Sequence, residues 1–82
     1  MDTRVALIGI IVEDMESVEK LNAILHEFAE CIVGRMGLPH LKEGINVISI
    51  VVDAPEEKIN ALSGKIGMLA GISSKVVYGK KY

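Results

Sequence analysis

The chain has 82 residues, half of them hydrophobic and only 4% aromatic, with a formal net charge of −2. High hydrophobicity with so little net charge excludes a disordered segment, and the acidic balance gives no global field for nucleic acid. A chain this short buries only about 60–65% of its unfolded surface, so a single domain over 1–82 has more apolar material than one small core absorbs.

In chain order, Val5 to Val12 is short and rich in β-branched residues, which predicts a first strand. It is also the longest uninterrupted apolar stretch, at eight residues, against the roughly 20 that a membrane span needs. Glu13 and Asp14 follow it where a signal peptide would place small residues for cleavage. Asp14 is a candidate N-cap. A helix over 15–29 is predicted by Val18, Leu21, Ile24, Leu25 and Phe28, which share one stripe at steps of three and four. Cys31 to Met36 reads as strand 2. Gly37, Pro39 and the polar His40 to Gly44 read as a turn or hairpin loop. Ile45 to Val52 is strand 3. Asp53, with Glu56 three residues on and Pro55 between, reads as a capping-box start to helix 2. Ile59, Leu62, Ile66 and Leu69 mark that helix's buried stripe, Gly71 ends it, and Ile72 to Tyr78 is strand 4.

The order β-α-β-β-α-β contains a faint repeat. Ile8-Gly-Ile-Ile-Val12 matches Ile48-Ser-Ile-Val-Val52, and Leu21-Asn-Ala-Ile24 matches Ile59-Asn-Ala-Leu62. Two such halves give an α+β, ferredoxin-like fold with a four-stranded antiparallel sheet and two helices on one face. In a monomer the other face would be polar. Strands 1 and 3, expected at the sheet centre, instead place Val, Ile or Leu on both faces. A large exposed apolar patch is rare on soluble monomers, so a homodimer or homotetramer is expected.

Few residues carry reactive chemistry. Cys31 has His26 five positions before it, a spacing that sets up no local nucleophile–base pair, so no catalytic activity is expected. The lone cysteine excludes an internal disulfide framework and fits a reducing cytoplasm. His26, Cys31 and His40 follow no zinc or iron–sulfur spacing, and no cofactor motif is evident. The alternative reading is a metal-responsive module that assembles these three across a subunit interface. Gly34-Arg35-Met36-Gly37 and Gly64-Lys65-Ile66-Gly67 are G-x-x-G stretches with a cation inside. Neither is a phosphate-binding P-loop. Glycines cost conformational entropy, which predicts a close approach by an anion or a neighbouring subunit, with Gly34, Arg35, Met36, Gly37, Gly64, Lys65 and Gly67 as candidate ligand-binding residues.

Three stretches go further together. Gly34-Arg-Met-Gly-Leu-Pro39, Val47-Ile-Ser-Ile-Val-Val-Asp53 and Ala61-Leu-Ser-Gly-Lys-Ile-Gly-Met-Leu-Ala-Gly-Ile72 resemble the small regulators of the iron-only hydrogenase system, over nearly the whole chain. The resemblance implies an ACT-like fold, similar to ACT domains and to the C-terminal domain of NikR-type repressors, and a stand-alone regulatory or sensor role with a small ligand or a partner protein. The parallels stop at particular residues. Glu13 to Ser17 holds no glycine where amino-acid-binding ACT domains have an Asp-x-x-Gly-like turn. Arg35, Met36 and Gly37 stand in the strand 2 region where the nickel sensor has a His-x-His pair. Only Met1 to Arg4 precede strand 1, so no ribbon-helix-helix is expected, and direct DNA binding is not expected at this charge.

Overall fold

The computed structural model describes residues 2–80, with His40 described by its backbone alone. The strands are β1 Arg4–Val12, β2 Ile32–Lys42, β3 Ile45–Ala54 and β4 Ile72–Tyr78, and the helices are α1 Val18–Glu27 and α2 Glu56–Gly67. They form one four-stranded sheet in the order β2-β3-β1-β4, with β1 antiparallel to both β3 and β4 and β3 antiparallel to β2. This is the βαββαβ, ferredoxin-like arrangement.

The alternation along each strand divides the sheet into two faces. Ala6, Ile8, Ile10 and Val12 of β1 and Ile48, Ile50, Val52 and Ala54 of β3 point toward the helices and are buried. Against them pack Leu21 and Leu25 of α1 and Ile59, Leu62 and Ile66 of α2. Val18, Ile24, Phe28 and Leu69 close the edges of this core. Each such side chain contributes about 1.5–3 kcal/mol when fully buried.

Local chemistry moved several boundaries. The expected helix over 15–29 is divided: a 3-10 turn over Met15–Ser17, then α1, then a second 3-10 turn over Ala29–Cys31. Asp14 caps the first turn, its Oδ1 accepting from the Glu16 N–H at 2.9 Å. Ser17 is buried and donates its hydroxyl to the Ala70 carbonyl at 2.6 Å, tying the start of α1 to the turn that follows α2. Strand 2 does not end at Met36. It runs through Gly37 and Pro39 to Lys42, and the turn shrinks to Glu43 and Gly44, where Gly44 supplies φ +76°. Pro39 is tolerated because β2 is an edge strand, and the register shifts between Leu38 and Lys42. The Asp53 capping box does not form. Asp53 stays in β3 opposite Val5, and the N-cap of α2 is Pro55, with no side-chain cap hydrogen bond. Helix α2 ends at Gly67, four residues before Gly71. Gly71 turns the chain into β4 at φ +68°, and a Cβ there would lie 2.3 Å from the Asp14 Cβ.

Candidate functional site

The outward face of the sheet carries no helix, yet it is built mostly of aliphatic side chains. Strand register arranges them in rows across the sheet. Gly34, Val51, Leu7 and Val77 form one row, Met36, Ser49, Gly9 and Lys75 the next, and Leu38, Val47, Ile11 and Ser73 a third. Leu7 and Ile11 are each 44% exposed, Met36 62% and Val77 63%, whereas Ile8 and Ile50 on the opposite face are at 0%. Gly9 lies at the centre of this surface. A Cβ added there would meet nothing within 4 Å, and its φ is not positive, so neither packing nor backbone conformation within the chain requires glycine at that position.

The candidate ligand residues separate into three places. Gly34 and Met36 lie on the bare face, in register with Val51 and Ser49. Arg35 and Gly37 turn to the helical side, in register with Ile50 and Ile48. Lys65 is on α2, and its Nζ is 2.7 Å from Oε2 of Glu27 on α1 and 5.5 Å from the centre of the Phe28 ring. That pair bridges the two helices near the surface, where such contacts contribute about 0–1 kcal/mol. Gly64 and Gly67 are exposed on α2. A Cβ at Gly34, Gly37, Gly64 or Gly67 would meet nothing within 4 Å, so any close approach to these glycines comes from outside the chain. The fold therefore does not join Arg35 to Lys65.

It does join Arg35 to His26. Both line a groove of about 320 Å³ between α1 and β2, together with Asn22, Leu25, Ala29 and Ile32. Cys31 is buried in the core, and the His40 side chain lies outside the described residues. Among the described residues, no group of three or more His, Cys, Asp or Glu is placed to hold a metal ion.

A larger open cleft of about 710 Å³ sits around Arg4 and Glu56. No sequence signal singled out Arg4, because its partners are far away in the chain. Its Nη1 is 2.6 Å from Oε1 of Glu56, and its Nη2 donates to the Gly79 carbonyl at 2.9 Å. Its guanidinium carbon stands 4.3 Å from the centre of the Tyr78 ring. Tyr78 in turn donates its hydroxyl to Asn60 Oδ1 at 2.6 Å. Arg4 thus clamps the start of β1, the end of β4 and the first turn of α2. These contacts occupy Arg4 structurally, whereas the Arg35 guanidinium has no ion pair or hydrogen bond among the described residues.

The architecture defines a small ferredoxin-like α+β module with one covered and one bare sheet face. Residues 4–76 match the TM1266-like family, described as "Iron-only hydrogenase system regulator, putative", and the chain belongs to that family. The solved structure of TM1266 from Thermotoga maritima superposes with a TM-score of 0.89 at 36% identity, covering 96% of this chain and all of that one. A formyltetrahydrofolate deformylase from Pseudomonas putida KT2440 aligns at TM-score 0.61 and 11% identity, over 89% of this chain but only 28% of the deformylase. CPII, a nitrogen regulatory PII-like protein from Thiomonas intermedia K12 bound to ADP, AMP and bicarbonate, aligns at TM-score 0.55 and 16% identity, covering 95% and 92% of the two chains. These last two show the fold alone. No curated protein matches the sequence. No helix among the described residues is long and apolar enough to cross a membrane.

Proposed function

We propose that the protein is a non-catalytic, ACT-like regulatory module of the iron-only hydrogenase system that works as a homo-oligomer and responds to a small ligand or a partner protein. The observation that carries this reading is the bare sheet face. Two of its rows are mostly aliphatic, with Val51, Leu7 and Val77 in one and Leu38, Val47 and Ile11 in the other, and no helix lies over them. Apolar patches of this kind mark association surfaces, and a second copy of the same face gives the isologous contact of a two-fold dimer. Gly9, with open space above it, lets a facing sheet approach closely at the centre.

Regulation on this reading passes through ligand or partner binding near Gly34 to Gly37, where the sheet edge and the open glycines meet. A net charge of −2 gives no counterion-release drive for operator binding, so any transcriptional output runs through another protein. The unpaired Cys31 supports a reducing, cytoplasmic setting. Native mass spectrometry of the full chain tests this by reporting subunit number and retained ligand together. A dimer or tetramer supports the reading. A protein that stays monomeric at micromolar concentration overturns it.

A further inference from the structure

The α1–β2 groove has a defined chemistry. Asn22 and His26 are four residues apart on α1, so they stand one above the other on the same helix face. Arg35 reaches the groove from the neighbouring edge strand, on the helical side of the sheet. Leu25, Ala29 and Ile32 complete the lining. Leu25 is buried and Ile32 half-buried, giving an apolar floor. Ala29, three residues after His26, keeps the groove open because it has no side chain beyond Cβ.

Every polar group here can donate a hydrogen bond, and the strongest of them is uncommitted. A guanidinium offers a planar fork of N–H donors matched to two oxygens of one anion. Two basic side chains elsewhere are held by carboxylates, Arg4 by Glu56 and Lys65 by Glu27. Arg35 is held by none among the described residues, and neither Asn22 nor His26 has a hydrogen-bond partner there. The groove lies beside the last turns of α1, whose carbonyl end is partially negative. That effect opposes an anion, but it is smaller than a charge-assisted bond to a guanidinium.

We propose that this groove binds a compact oxyanion, the phosphoryl or carboxylate group of a small ligand, with the Arg35 guanidinium gripping two of its oxygens and the Asn22 amide and His26 ring donating from α1. The ligand's carbon portion rests on Leu25, Ala29 and Ile32. The volume of about 320 Å³ sits at the lower end for small-molecule sites. This proposal rests on the reading of the chain as a ligand-responsive module and assigns that ligand a place and a chemical class.

The test is a titration of the full-length protein with inorganic phosphate and, separately, with acetate, followed by nitrogen-15 NMR against sodium chloride at matched ionic strength. Saturable shifts are expected at the Arg35 Nε–H, the Asn22 side-chain amide and the backbone of α1 and β2. Arg35→Ala is expected to weaken binding about tenfold or more, and Asn22→Ala by a smaller factor. A response to phosphate alone assigns a phosphoryl group, and a response to acetate assigns a carboxylate. Shifts that follow ionic strength without saturating, or that survive Arg35→Ala, overturn the proposal. Sedimentation of the same variant separates the two claims. An intact Arg35→Ala oligomer without anion binding in the wild type leaves the association reading standing and removes only the groove.

Discussion

The two faces of the central strands share aliphatic side chains but not their burial: β1 and β3 present only Ala, Ile and Val to the helices, whereas the bare face mixes Leu7, Ile11, Val47 and Val51 with Gly9 and Ser49. Ile50 and Val51 are neighbours in β3, both β-branched and aliphatic. Ile50 is sealed beneath the helices, while Val51 is 38% exposed. Leu7 and Ile8 make the same contrast in β1. For these neighbours burial is decided by strand alternation and by which side the two crossovers place their helices. A monomer would gain nothing from aliphatic side chains on the bare side. Their presence in rows, with a glycine at the centre, is the feature on which the proposed association rests.

Substitutions at adjacent positions can break this comparison. Ile50→Ala should cost about 2–5 kcal/mol of stability, read by urea denaturation at fixed protein concentration. Val51→Ala should leave the midpoint of a dilute, monomeric sample nearly unchanged and act on the dissociation constant of the oligomer. Equal destabilisation by the two in dilute samples would mean that both faces serve the same core.

Gly71→Ala comes next. Its left-handed φ costs about 1–3 kcal/mol for a residue with a side chain, and the approach to Asp14 adds to that. The loss should appear as a lower thermal midpoint, whereas Gly9→Ala should fold as well as the wild type when dilute. A Gly71→Ala protein as stable as the wild type would sink the account of that junction. On the bare face, Leu7→Lys and Ile11→Lys should retain the native far-ultraviolet circular dichroism while shifting the hydrodynamic radius toward a monomer. The smallest effect is expected at the helix–helix ion pair. Lys65→Met should change stability by about 1 kcal/mol or less, because both partners are about half exposed.

Much of the fold was legible in the sequence because its signals are local. The continuous apolar runs gave β1 and β3 nearly to the residue, and the repeat of Ile8 to Val12 in Ile48 to Val52 gave the two halves. Features that depend on a distant partner were not legible. Gly37 and Pro39 read as chain breakers, yet an edge strand accepts both because its outer N–H groups have no strand to meet. Asp53 read as a helix cap, yet pairing opposite Val5 keeps it in β3. At the site, the glycines drew attention to Arg35 and Lys65 equally. Only the fold shows that Glu27 engages Lys65, and that Arg35 faces His26 across a groove. The Arg4 clamp joins residues more than fifty positions apart, a relation that no motif spacing encodes.

The central claim is that the bare face is a subunit interface. Sedimentation equilibrium of the wild-type chain and of Leu7→Lys, across a micromolar concentration series, tests it most directly. The account predicts a dimer or tetramer for the wild type and a folded monomer for the variant. A wild type that is monomeric throughout, or an oligomer that Leu7→Lys leaves intact, would contradict it.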